Sequence, residues 1–124
     1  MTRTTQLVYI AGPYSAPTLE GVEAHISEAL TAALWCAAHE VFYVCPHLNS
    51  AHFDTHLPEV PVEFYYAMDL AILRRCDAIL LVGLWQDSAG AMAEMAYAVD
   101  HALPCFVFET DQQALLAWYR GTMP

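Results

Sequence analysis

The stretch "AILLVGLWQDSAGAMAEMAYAV", residues 78 to 99, decides the fold. Its first seven residues form a continuous apolar run, as a strand buried on both faces of a parallel sheet requires. A turn-rich interval follows, and then apolar positions at helical spacing from about Ala89 to His101. Strand, short loop and helix in that order read as half of a β-α-β unit. One residue does not fit a purely structural reading. Glu94 is a carboxylate in the second turn of a helix whose neighbouring positions, Gly90, Ala91, Tyr97 and Ala98, carry no other charge.

Working outward, the same alternation recurs. "QLVYIAG" at 6 to 12 is a β-branched and aromatic run ended by Gly12-Pro13, and residues 18 to 39 have helical periodicity. "VFYVC" at 41 to 45 is a second strand, cut by Pro46. A loop rich in His and Pro spans 46 to 61 and is expected to lack secondary structure. Helix is expected from about Val62 to Arg75, a fourth strand in "PCFVFE" and a last short helix in "DQQALLAWYR". Four β-α pairs joined by short connections predict a single α/β domain over residues 1–124. The expected fold is doubly wound and Rossmann/flavodoxin-like, a parallel sheet of four to five strands with helices on both faces. In such sheets ligands sit at the carboxyl ends of the strands where the winding reverses. That rule nominates "GPYS" at 12 to 15 and "WQDSAG" at 85 to 90. The loop at 46 to 61 is long for so small a domain, and loops of that length are often functional lids.

Composition narrows the function classes. The 124 residues include fourteen acids against four Arg and no Lys, for a formal charge of −10. A polyanion is bound through basic side chains that release counterions, so a nucleic acid polymer is not the expected partner. The 57% hydrophobic content supports a packed core. Cys36, Cys45, Cys76 and Cys105 are far apart with no CxxC, which argues against a zinc knuckle or a redox pair. With no signal-like or membrane-spanning run, no membrane association is expected and the cytoplasm is the default location. His47, His52, Asp54 and His56 lie within ten residues and could supply metal ligands, but the H-x4-H-x3-H spacing lacks a framing helix or strand. Neither metal nor cofactor is expected.

Asp69 shares the peculiarity of Glu94, since its helical neighbours are Tyr65, Tyr66, Ile72 and Leu73. An unpaired carboxylate is costly to bury. Either acid alone could be structural, Glu94 complementing the helix dipole and Asp69 hydrogen-bonding a loop; two such acids at one cleft favour chemistry. Asp77, at the start of a strand, reads as a structural hydrogen-bonder. Tyr9 and Tyr14 flank the first loop and are candidates to pack against a ligand, with core and turn positions as the alternatives. Gly12 is expected where the backbone passes close to a ligand.

"LVYIAGPYS", "AMDLAILRRCDAILLV" and "DSAGAMAEMAYAV" together resemble the nucleoside 2-deoxyribosyltransferase superfamily, including its 2'-deoxynucleoside 5'-monophosphate N-glycosidase branch, in the same order over roughly residues 7 to 109. The most specific part is S-x-G-x-x-x-E, formed by Ser88, Gly90 and Glu94, about 25 residues after Asp69. The resemblance implies that Glu94 is a nucleophile attacking C1' of a deoxyribose, and that Asp69 assists departure of the base and then activates the acceptor. A helix N-terminus is expected to keep Glu94 ionised by lowering its pKa. Ser88 matches the serine of the monophosphate branch, where the transferases have an Asp for the free 5'-hydroxyl. That branch also has a first-loop arginine, which "GPYS" lacks, and Asp87 stands next to Ser88. The implied function is release of the base from a 2'-deoxynucleoside 5'-monophosphate. Base exchange between deoxynucleosides is the alternative, and a non-catalytic nucleotide-binding or sensing domain the second one. Substrate contacts are expected from Tyr9, Gly12, Tyr14, Ser15, His47, Ser88 and Gly90. The aromatic tail "AWYRGTMP" suggests a homo-oligomer in which a neighbour completes the site, with Arg120 as the candidate residue lent.

Overall fold

The structure, a computed structural model, describes residues 5 to 121; Arg3 and the last three residues of the aromatic tail lie outside that range. Four parallel strands form one sheet: β1 (Val8–Ala11), β2 (Tyr43–Val44), β3 (Ala78–Leu81) and β4 (Cys105–Val107), in the order β2-β1-β3-β4. The register pairs Val8 with Tyr43 on one side and Val8 with Ala78 on the other. The doubly wound α/β architecture expected from the alternation is therefore present, with four strands. β1 and β3 are buried at every position, as their uninterrupted apolar sequences require.

The helices are α1 (Leu19–Ala38), α2 (Pro46–Asn49), α3 (Phe53–His56), α4 (Val62–Leu73), α5 (Ala89–Asp100) and α6 (Gln112–Arg120), with a 3-10 turn at Trp85–Asp87. Alternate residues of the central strands feed two cores, because successive side chains leave a strand on opposite faces. Val8, Ile10 and Leu80 pack with Ala29, Ala32 and Cys36 of α1 and with Leu115 of α6. Tyr9, Ala11, Ile79 and Leu81 pack with Leu73 of α4 and Ala98 of α5. Tyr9 therefore faces the layer that carries both lone carboxylates.

Two expectations change. The 46 to 61 segment contains two single-turn helices, α2 and α3, started by Pro46 and by His52 in the left-handed region at φ 63°. Tertiary hydrogen bonds hold these turns in a segment whose local pattern carries no helical period. The second strand pairs only over Tyr43–Val44, because it is an edge strand and Cys45 already begins the turn into α2. Asp77 is structural as expected, its Oδ2 accepting from Leu7 N at 2.8 Å. No helix among the described residues is long and apolar enough to cross a membrane.

Candidate active site

The winding reverses between β1 and β3, so the loops leaving their carboxyl ends diverge and open a crevice between them. A cavity of about 730 Å³ fills it, within the size range of small-molecule sites. Glu94 and Asp69 border this cavity, as do Tyr9, Gly12, Tyr14, Ser15, His47, Ser88 and Gly90. Residues from positions 9 to 94 thus converge on one space. Arg120, at the end of α6, is not among its lining.

Glu94 comes from α5 and Tyr9 from β1. The buried Tyr9 hydroxyl donates to Glu94 Oε2 at 2.5 Å, and the Tyr9 side chain is fully excluded from solvent. That phenol is held far above its ordinary range, first by burial and then by the charges of Glu94 and Asp69, so it stays a donor. Glu94 itself is pushed up to about 7, chiefly by burial, with the Tyr9 hydrogen bond lowering it and the Asp69 charge raising it. This corrects the expectation of a depressed pKa. Glu94 is the sixth residue of α5, beyond the first turn in which the dipole and free amides act, so desolvation wins.

Asp69 comes from α4 and is raised to about 6 by burial. Its Oδ1 is buried without a hydrogen-bond partner, so it does not hydrogen-bond a loop through that oxygen. Two carboxylates pushed upward in one cleft are a hallmark of acid-base sites, and their protons belong to the pair.

Ser88 caps α5: its Oγ accepts from Ala91 N at 3.1 Å. A hydroxyl that accepts there keeps its own proton to donate elsewhere. The amides of Ala89 and Gly90 lie in the same first turn, where a helix leaves N–H groups without intrahelical partners. Gly90 is not demanded by crowding, since an added Cβ would stand 3.7 Å from Tyr66 Cε1 and 3.9 Å from Ser88 Oγ. Gly12 behaves differently. Its Cβ would meet Val82 Cγ2 at 2.5 Å and the Val82 carbonyl at 2.9 Å, so close approach to the end of β3, rather than to a ligand, accounts for this glycine.

The opposite wall is tied down by hydrogen bonds. His47 Nε2 donates to the Pro13 carbonyl at 2.7 Å, which fixes its tautomer and leaves Nδ1 as an acceptor, buried and without a partner. Burial lowers the His47 pKa and keeps the ring neutral. The Tyr14 hydroxyl accepts from His52 N at 2.8 Å and donates to Asp54 Oδ1 at 3.3 Å. Tyr14 therefore serves the loop as well as bordering the cavity. His52 Nε2 meets Glu23 Oε1 at 2.6 Å. These contacts disperse the histidine loop. Among the described residues, no group of three or more His, Cys, Asp or Glu side chains is arranged to hold a metal ion.

Residues 6–107 match the family described as Domain of unknown function (DUF4406). The chain belongs to that family. No match was found among curated proteins. The match takes in every cavity residue discussed above, so the crevice of this DUF4406 chain lies wholly within the family domain.

Some lining residues of this DUF4406 domain were not anticipated. His25 on α1 borders the cavity and its Nδ1 lies 3.2 Å from the Tyr14 carbonyl, close enough to donate. Tyr65 and Tyr66 also border it; in the sequence they register only as the apolar surroundings of Asp69. Among the described residues, the lining includes the carboxylates of Asp54, Asp69, Asp87 and Glu94 and no Lys or Arg.

Proposed function

We propose that this chain cleaves the N-glycosidic bond of a 2'-deoxynucleoside 5'-monophosphate through a covalent intermediate on Glu94. The observation that carries the reading is the Glu94–Tyr9 pair at the cavity wall beside the upward-shifted Asp69. Tyr9 holds Oε2, which leaves the other carboxylate oxygen to attack C1'. The C1'–N bond breaks as the C1'–O bond forms, and protonated Asp69 gives its proton to the departing base. Ionised Asp69 then takes a proton from water, the water oxygen attacks C1', and Glu94 leaves as carboxylate. This is retaining glycoside chemistry with one residue switching from acid to base. The Ser88 hydroxyl and the amides of the first turn of α5 support a 5'-phosphate at that end, since helix N-termini favour anions.

A second reading, base exchange or hydrolysis of unphosphorylated deoxynucleosides, is favoured by a lining that has four carboxylates and, among the described residues, no Lys or Arg. A homo-oligomer also belongs to the proposal, supported by Phe64 and Tyr66 of α4, which are 53% and 51% exposed.

The test is a panel of deoxynucleosides and their 5'-monophosphates, with and without a second free base. Under the primary reading the monophosphate has the higher kcat/KM, free base is the product, and Ser88→Ala removes most of the preference while sparing the nucleoside. Loss of the cap costs about 1 kcal/mol, so the variant is assayed well below its melting temperature. A preference for nucleosides in the wild type gives the second reading its place, and a new nucleoside in the presence of free base identifies transfer. Turnover of none of them removes the enzymatic reading.

A further inference from the structure

The cavity is rich in acceptors and poor in positive charge. Two of its carboxylates, Asp69 and Glu94, are partly buried, Asp54 and Asp87 stand exposed at its edge, and among the described residues no Lys or Arg joins them. Among the described residues, the buried side-chain polar atoms left without partners are His47 Nδ1 and Asp69 Oδ1. Both side chains border this cavity. His47 is only 7% exposed, and because Nε2 is engaged by the Pro13 carbonyl, Nδ1 can only accept. Both atoms are closed to solvent, so the character of the cavity surface is set by its four carboxylates, which favour a ligand that brings positive charge. Tyr14, Tyr65 and Tyr66 line the same space, and aromatic rings attract cations.

We infer that the cavity selects an N-glycoside whose base is cationic, a 2'-deoxynucleoside carrying a quaternised ring nitrogen. The inference rests on Glu94-dependent glycosidic cleavage, and not on which group occupies the 5' end. The reaction balances without an acid. Glu94 forms the C1'–O bond, the C1'–N electron pair passes to the base, and the base leaves as a neutral heterocycle. Water then attacks C1', its proton passes to Asp69 and on to solvent, and Glu94 is regenerated. For a neutral base, Asp69 must hold a proton while Glu94 has lost one. Burial raises both carboxyls and their protons belong to the pair, so a neutral base demands one particular placement of a shared proton. With a cationic base, forming the glycosyl-enzyme requires only that Glu94 be ionised.

The probes are 7-methyl-2'-deoxyguanosine, which is cationic; 7-methyl-7-deaza-2'-deoxyguanosine, its neutral isostere; and 2'-deoxyguanosine. Inhibition constants are measured for all three at about pH 6 against a substrate the wild type turns over, or by direct titration if none is turned over. The expected result is binding of the cation about tenfold or more tightly than the isostere, with the gap shrinking as salt rises and in Asp54→Asn or Asp87→Asn. Cleavage, divided by each compound's spontaneous rate, should favour the cation. Below about pH 7, where the probe keeps its N1 proton and its net charge, its kcat/KM should rise with pH as Glu94 ionises, whereas 2'-deoxyguanosine gives a bell. Equal binding of cation and isostere, or tighter binding of the isostere, overturns the inference even if neutral nucleosides are cleaved. Tighter, salt-sensitive binding of the cation without cleavage upholds the charge selectivity and removes the glycosidase reading instead.

Discussion

The two walls of the cavity are built on opposite principles. On the wall formed by the first loop and residues 46 to 57, most polar groups find partners, His47 Nδ1 excepted: Pro13 O meets His47 Nε2, Tyr14 O meets His25, the Tyr14 hydroxyl sits between His52 N and Asp54, and His52 meets Glu23. On the wall formed by α4 and α5, Glu94 has one partner, Tyr9, and Asp69 Oδ1 has none. The first wall holds a shape. The second holds charge in a poorly solvated place, where an oxocarbenium-like transition state with positive charge at C1' would gain most from it. The two raised carboxyls thus stand on one side of the crevice and the hydrogen-bonded frame on the other, and substitutions on the two sides should fail in different ways.

The largest effect is expected at Glu94. Glu94→Gln keeps the shape and an acceptor for Tyr9 but removes the nucleophile, so base release should fall by roughly 1,000-fold or more. Stability should move the other way. A carboxyl whose folded pKa lies above its unfolded value contributes stability that is fully present below the unfolded pKa and lost as pH rises through the folded one. For Glu94 that window runs from 4.5 to about 7, and for Asp69 from 3.8 to about 6. Melting temperatures should therefore show Glu94→Gln gaining on the wild type between pH 5 and pH 8, by up to about 3 kcal/mol. A variant that loses stability at pH 8 would show that Glu94 is not a strained charge.

Next comes Asp69→Asn, which should cost roughly 100-fold on substrates with neutral bases and abolish the alkaline limb of their pH profile. An unchanged profile would move the acid-base role elsewhere.

The two glycines sharpen the contrast without touching charge. Gly12→Ala drives a Cβ to 2.5 Å from Val82 Cγ2 and 2.9 Å from the Val82 carbonyl, and thermal unfolding should register about 1–3 kcal/mol of destabilisation. Gly90→Ala meets only ordinary contacts, and Ala is the better helix former. It should fold at least as stably and bind substrate more weakly, since the new methyl group stands at the cavity. Equal stability losses at both positions would contradict this assignment of the glycines.

The smallest effect is expected from Glu23→Gln, which removes the His52 ion pair. Glu23 is 55% exposed, and exposed pairs contribute roughly 0–1 kcal/mol, so melting temperature and turnover should both stay close to wild type. A large loss would mean that the shape of the first wall hangs on this pair.

What could be read from the chain alone follows from how local each signal is. The uninterrupted apolar run 78 to 84 announces a buried strand, and the β-α alternation places the switch-point loops without any contact being known. A lone acid on an apolar helical face, at Asp69 and at Glu94, is likewise visible from spacing. The Tyr9–Glu94 hydrogen bond joins residues 85 positions apart and no local pattern encodes it. The direction of the Glu94 shift depends on the balance between burial and the helix end, which needs the depth of the site. The neighbour that makes Gly12 a glycine is Val82, just past β3, and the short turns at α2 and α3 owe their form to the contacts of His47 and His52 with the first loop. Those are properties of the packed molecule.

The most direct measurement is mass analysis of the protein quenched during turnover with a 2'-deoxynucleoside or its 5'-monophosphate. A mass gain of one deoxyribosyl or deoxyribosyl phosphate unit, located by fragmentation to Glu94 and absent from Glu94→Gln, is the predicted result. Active turnover with the sugar attached to another residue would contradict a Glu94 nucleophile, as would an inverted anomeric configuration in the first-formed product.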